Sequence, residues 1–394
     1  MNEAACDDQR ASGRRTGRAR DLFAVLHIAA TSDQHDSTQR WRDLHQAKYN
    51  NLDKAHREVF NRIVDEIRNR LAFQLDVSPS DEAASTWRVE LSRAVELGRP
   101  ANFTAGGGGR GNTGYGEIDG DHRGNAERCL KVYAVEKLQA RCRQLYHLLF
   151  NDDAFASKLR ALLITSDDNQ HDDNARNGHD TGDTVNVISL GGGPGYDHVA
   201  LCIAAKFLRD VQPLHIMPKP RCIRTRVYDL FHVDWQPVMA VLQECSENAL
   251  LLNNEAEGNQ YDGGSNMTMH HADVRLGLDE TIHADLASAV ESAHIICAQF
   301  VLHENSSFIL VEGEGSSDGQ QNLRIGGTIR DIFARAKLGT IMICTDSANT
   351  LFPPLKATAA EYGWDFLGDE EQRKMSGKLM NMGPRSYVVL ERVK

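Results

Sequence analysis

Near the middle of the chain, Gly191-Gly192-Gly193-Pro194-Gly195 stands between a short apolar run, "VNVISL", and a stretch with helical periodicity. Glycine is used where the backbone must take a positive φ or where a ligand must approach it closely. A corner of this kind leaves N–H groups unpaired at a helix start and aims the positive end of the helix dipole at whatever lies beyond, which suits an anion or the polar edge of a nucleotide. Two carboxylates, Asp229 in "RVYDL" and Asp273 in "MHHADV", close later apolar runs. His303 and Glu304 follow another, "HIICAQFVL". A histidine exchanges protons near neutral pH and a carboxylate can orient it, so this pair is the candidate for general-base work.

The glycine spacing narrows the chemistry. A phosphate loop needs Gly-Lys-Ser/Thr after the turn, and none is present. The dinucleotide pattern GxGxxG, started at Gly191, needs a glycine where Tyr196 stands. GxGxG is matched by Gly191, Gly193 and Gly195.

The elements that must position these residues divide at about residue 184. Beyond it, strand-like runs alternate with helical ones: "VNVISL", "IRTRVYDL", "MTMHHAD", "HIICAQFVL", "GTIMICTDS" and "SYVVLERV". Near-continuous apolar strands between helices predict an α/β, doubly wound, mostly parallel sheet, with ligands beyond the carboxyl ends of its strands. Before it the pattern is helical. Leu52, Phe60, Ile63, Val64, Ile67 and Leu71 share one helical face, and further helices are expected over about 80–97, 126–150 and 154–163. We expect a tail over 1–36, a helical accessory domain over 37–164 with a Gly-rich insertion at 101–125, an acidic linker over 165–184 and a catalytic domain over 185–394. The stretches 253–266 and 312–322 look like surface insertions.

Composition sets the bounds. The 394 residues carry a net charge of -11, which does not draw the whole molecule to nucleic acid, although six aspartates in 165–183 supply much of it. No apolar run is long enough for a membrane helix, and no secretory signal is read. The eight cysteines show no CxxC spacing, so they read as buried thiols in a reducing compartment rather than zinc ligands or disulfides. No metal site is expected: His171 and His179 lie in the acidic linker without ligand spacing, and His270 and His271 read as structural.

On these residues the segment 185–394 resembles the Rossmann-like S-adenosylmethionine-dependent methyltransferases. In that family the glycine loop packs on the methionine part of the cofactor, the second strand ends in an acid holding the ribose, and the third ends in an acid near the adenine. The resemblance implies seven strands with the last antiparallel, S-adenosyl-L-methionine as cofactor, and a binding site of Leu190, Gly191, Gly192, Gly193, Gly195, Asp229, Asp273, Val274, Gln299 and Phe300. Asp234 is a second candidate for the ribose. His303, with Glu304, matches the histidine that deprotonates the acceptor in many small-molecule O-methyltransferases. Two departures stand out: Ser189 occupies the place of an acid two residues before the first glycine, and Asp229 is farther from the glycines than usual. Aminopropyltransferases of the spermidine synthase type share a GGGxG loop but usually carry Asp after the third glycine, where this chain has Pro194.

The resemblance implies methylation of a small molecule at O or N. An RNA base as acceptor, or a non-catalytic cofactor-binding regulator on the same fold, remain alternatives. The basic residues Arg128, Lys131, Lys137, Arg141 and Arg143 would serve an RNA contact or a solvated helix face equally well. Trp41, Trp87, Tyr133 and Tyr146 are candidates for a pocket wall or for core. A cytoplasmic protein with no membrane contact is expected, with nuclear or organellar placement and a homodimer left open.

Overall fold

The computed structural model describes residues 58–77, 120–151, 153–164, 184–210, 221–252, 265–312, 323–346, 350–367 and 386–394. The tail, the helix expected over 80–97, Trp41, Trp87 and the acidic linker up to 183 lie outside the described residues.

The helical half contains α1 (58–74), α2 (Gly120–Asn151) and α3 (Asp153–Leu163). Phe60, Ile63, Val64, Ile67 and Leu71 of α1 are all buried, as their spacing demands. Helix α2 starts at Gly120, inside the stretch assigned by sequence to the Gly-rich insertion. Leu130, Ala134, Leu138 and Leu145 are buried, but so are Val132, Val135, Cys142 and Tyr146. Helix α2 is therefore covered on more than one side. Tyr146 stacks on Phe60 of α1 with ring centroids 4.4 Å apart, which makes it core rather than pocket wall.

The second half runs β1 (Thr184–Leu190), α4 (Tyr196–Asp210), β2 (Cys222–Asp229), α5 (His232–Leu252), β3 (Asn266–His271), a 3-10 turn (Thr281–His283), α6 (Ala284–Ser292) and β4 (Ile295–Gln299). It continues through the short helices α7 (Val301–Glu304) and α8 (Ser306–Ile309), β5 (Leu310–Glu312), β6 (Leu323–Ile325), α9 (Gly327–Arg335), β7 (Ile341–Asp346), α10 (Phe352–Glu361), β8 (Trp364–Phe366) and β9 (Ser386–Arg392). Strands β5 and β6 form a separate antiparallel pair, and residues 313–322 between them, where an insertion is expected, lie outside the described residues.

Seven strands form one sheet in the order β3-β2-β1-β4-β7-β9-β8. Pairing is parallel from β3 to β7, and β9 runs antiparallel to both of its neighbours. This is the doubly wound, mostly parallel seven-stranded sheet that the sequence implied. Every residue of β4 and β7 is buried, whereas edge strand β3 buries only Met267. That gradient explains why the central strands are apolar without alternation.

Successive strand residues face opposite layers. Val187, Ile223, Ile295, Cys297, Ile343 and Val389 join the same buried cluster as α1 to α5. Ile188, Leu190, Ile296, Ala298, Met342 and Leu390 face α6, α9 and α10. The helical half thus lies on the α4 side of the sheet and shares its core. Arg221 N–H donates to the Leu163 carbonyl at 2.9 Å, and Lys158 of α3 pairs with Glu391 of β9. The strand order reverses between β1 and β4, the place where open α/β sheets bind ligands.

Candidate active site

The glycine corner closes β1. Gly191 N–H donates to the Tyr228 carbonyl at 2.8 Å, tying the start of the corner to β2. Gly193 has φ +54, and a side chain built there meets the Tyr196 ring at 3.4 Å and the Trp235 indole at 3.9 Å. Gly192 has ordinary φ but no room, because a Cβ there would overlap Ser189 Oγ. The run of four glycines therefore serves two separate needs, backbone conformation and close approach.

Asp229 ends β2 and reaches across to this corner. Its carboxylate accepts the Gly193 N–H at 3.2 Å through one oxygen and the Phe231 N–H at 2.9 Å through the other. Each oxygen keeps a lone pair for a further donor. Burial pushes the Asp229 pKa up to about 6, against the pull of the two N–H groups, and the Asp234 charge adds to the rise. Asp234 itself is half-buried in the first turn of α5.

Asp197, in the first turn of α4, is the buried carboxylate that the sequence did not disclose. Ser189 Oγ donates to it at 2.5 Å, and Gln299 Nε2 donates to its other oxygen. Burial raises its pKa, while the bonds from Ser189 and Gln299 and the Arg141 charge hold it down. Ser189, standing where an acid was expected, thus brings a carboxylate to the end of β1 from eight residues farther along. The available signal was an acid directly after a glycine corner, indistinguishable by type from an ordinary first-turn acid.

The end of β4 carries the third group. Phe300 has φ +63, a conformation rare for a bulky residue, and its N–H donates to the Thr345 carbonyl at 2.7 Å. His303 follows on α7, where its backbone N–H donates to Asp346 Oδ2 at 2.7 Å. Its side chain is exposed. Glu304 is placed on the same helix, and its side chain is not described. Gln299 is buried, yet Oε1 has no hydrogen-bond partner among the described residues, and the same holds for Thr345 Oγ1 on the neighbouring strand. A buried polar atom left unsatisfied costs about 1–3 kcal/mol, so these two atoms could each take a further hydrogen-bond partner.

Arg141 comes from α2. It donates to the Gln299 carbonyl at 3.2 Å and to the Tyr133 hydroxyl at 2.9 Å, and its guanidinium lies 3.8 Å from the centre of the Phe300 ring. Tyr133 in turn sits 5.9 Å from Trp235, ring centre to ring centre. The basic α2 therefore brings at least one of its cations to the end of β4. Sequence could not separate Arg141 from the four other basic residues of that helix.

At the far end, Asp273 is held by Arg275 in a two-pronged ion pair with both side chains nearly buried. Asp273 N–H donates to His283 Nε2 at 3.0 Å, and Val274 beside it is half-buried. His271 stacks near His232 and His270 stacks on Tyr228 while pairing with Asp285, so both histidines of β3 have packing roles. Desolvation lowers the pKa of each. Among the described residues, no three His, Cys, Asp or Glu side chains gather to hold a metal ion, and no helix is long and apolar enough to cross a membrane. Phe352-Pro353-Pro354 opens α10, with both prolines in the first turn.

No family model and no curated protein matches the chain. Solved structures that resemble it include an O-methyltransferase family protein from Burkholderia thailandensis (TM-score 0.30, 11% identity, 70% of this chain and 63% of that one). Others are an O-methyltransferase family 2 protein from Planctomyces limnophilus (0.26, 11%, 66% and 61%) and human N-acetylserotonin methyltransferase (0.27, 11%, 78% and 67%). The chain spans less than two thirds of the length of the first two. Likeness of this size carries no assignment of substrate, cofactor or residue roles.

Proposed function

We propose that the protein is an S-adenosylmethionine-dependent methyltransferase that methylates a small molecule at oxygen or nitrogen. One observation carries the reading. The glycine corner and the Asp229 carboxylate are joined by a hydrogen bond at the point where the strand order reverses. Two neighbouring polar side chains there, Gln299 and Thr345, each keep a buried atom without a hydrogen-bond partner among the described residues.

These residues fit the cofactor. Gly193 leaves the corner free of a side chain, Asp229 has lone pairs to accept ribose hydroxyls, and Gln299 Oε1 can accept a donor. Leu190, Gly191, Gly192, Gly195, Phe300, Asp273 and Val274 complete the proposed lining, Asp273 and Val274 toward the adenine. When bound, S-adenosylmethionine supplies a methyl group already activated by its sulfonium, so the protein's task is alignment plus removal of a proton from the acceptor. His303 is the group proposed for that proton. Its backbone is pinned by Asp346 while its ring stays open to the acceptor, with Glu304 as its proposed orienter.

The test is calorimetric titration with S-adenosylhomocysteine, run on the wild type and on Gly193→Arg. Micromolar binding, about -8 kcal/mol, that disappears in the variant supports the reading. Absence of binding to the wild type refutes it. Transfer of labelled methyl groups to fractionated small molecules, and not to RNA, then fixes the acceptor class.

A further inference from the structure

We propose a second site of chemistry on the sheet edge, where Thr268, His270 and Asp285 form a nucleophile, base and orienting carboxylate that cleave activated acyl esters through an acyl-threonine. It lies outside the proposed cofactor lining and does not depend on that reading.

The register between β2 and β3 sets Arg226 opposite Thr268 and Tyr228 opposite His270. Side chains two apart on a strand share a face, so these four form one patch, and Asp285 in the first turn of α6 closes it. Thr268 Oγ1 and His270 Nε2 are 2.8 Å apart, and His270 Nδ1 lies 3.1 Å from Asp285 Oδ2. An ionised carboxylate only accepts, so Nδ1 carries the imidazole proton and Nε2 is left to accept from the Thr268 hydroxyl. The ring is fixed as well as bonded. It stacks on Tyr228 with ring centres 5.1 Å apart, while the Tyr228 hydroxyl donates to Asp285 Oδ2 at 2.6 Å and Arg226 donates to Oδ1 at 3.3 Å. Desolvation holds the His270 pKa below its ordinary value, which favours the neutral ring that a base needs. A hydroxyl bonded to an imidazole that a carboxylate orients is the arrangement that makes a nucleophile of an alcohol, whatever the fold.

The backbone supplies a donor beside it. Strand β3 is an edge strand. Met267 N–H turns away from β2 to Gln243 Oε1, and Ala272 N–H turns toward β2, to the Asp229 carbonyl. By the same alternation Met269 N–H, next after the nucleophile, faces the open edge, where it can meet an oxyanion. Thr268 itself is exposed. Its oxygen attacks the acyl carbon as its proton passes to His270 Nε2; the ester C–O bond breaks, and that proton leaves with the alcohol. Water then attacks the acyl-threonine and gives a proton to Nε2, which returns it to Thr268 as the carboxylic acid departs.

The alternative is a surface hydrogen-bond network without chemistry. The test is hydrolysis of p-nitrophenyl acetate by the full chain, with acid-quenched samples digested for mass spectrometry. The wild type is expected to release p-nitrophenolate faster than buffer and to carry an acetyl group on Thr268. Thr268→Val, isosteric and at an exposed position, lowers the enzyme's rate about 100-fold or more, as does His270→Gln, whereas Thr268→Ser stays active. Asp285→Asn, which no longer selects the ring tautomer, lowers kcat and leaves KM unchanged. A wild type no faster than buffer, a Thr268→Val variant at the wild-type rate, or acetyl groups on lysines alone overturns the proposal.

Discussion

Gly193 donates its N–H to the carboxylate of Asp229 at 3.2 Å, joining the corner after β1 to the end of β2. The carboxylate is buried, so its proton binding reports on folding. Its folded pKa, about 6, lies above the ordinary value of 3.8. Between those values the folded state binds more protons than the unfolded, so stability contributed by Asp229 falls as pH rises through that window and is gone above it. Thermal unfolding from pH 4 to 7 should show this downward trend, and Asp229→Asn should flatten it. If the ionised carboxylate accepts ribose hydroxyls, S-adenosylhomocysteine affinity rises over the same window in the wild type alone. An unchanged pH profile in the variant would rule out Asp229 as its source.

Asp197 is the shared acceptor for Ser189 and Gln299 inside the core. Asp197→Ala leaves both donors buried without an acceptor, and a loss of about 2 kcal/mol or more is expected in urea denaturation. Ser189→Ala removes one bond and should cost about 1 kcal/mol. If Ser189→Ala proved the more damaging, the carboxylate would not be the centre of the network.

His303→Ala should lower kcat by about 10²- to 10⁴-fold, the usual contribution of a positioned base, with S-adenosylhomocysteine affinity unchanged. Steady-state kinetics beside calorimetry measures both. Full activity in the variant would remove His303 from the chemistry.

The thiols make a separate prediction. Burial raises the pKa of Cys142, Cys297, Cys344 and Cys222, takes Cys202 up to about 12 and Cys245 up to about 11, and Cys222 alone of these six is not classed as buried. Since the thiolate is the reactive form, brief iodoacetamide treatment of the native protein at pH 7.5 should label Cys222 first among these six, as read by mass spectrometry. Early labelling of Cys142 would mean that α2 lifts away from α4.

The sheet was legible because its central strands are apolar on both faces, and because the glycine corner has so few physical uses. Six of the seven sheet strands showed in the sequence. The seventh, β8, has three residues, too few for any period to register. Helix α2 was found, but its start was not, since the glycines around residue 120 argue against helix by propensity. In the site, Asp229 stood out by its place at a strand end. Arg141, Trp235 and Asp197 did not, because each acts through a partner far away in sequence, as Arg141 does with Gln299 across 158 positions. Sequence period locates faces and ends of elements, and it carries no information on which distant element comes to rest against them.

The antiparallel strand β9 lies between β7 and β8, although it is the last of the three to be made. Its Val389 belongs to the same apolar cluster as Phe60, Leu138 and Leu159. On the ribosome, the helices preceding residue 164 must therefore wait for more than two hundred further residues before their partner surface is complete. At about 5–20 residues per second this delay is roughly 10–45 s. During synthesis the helical half thus keeps part of its apolar face uncovered until β9 enters the sheet.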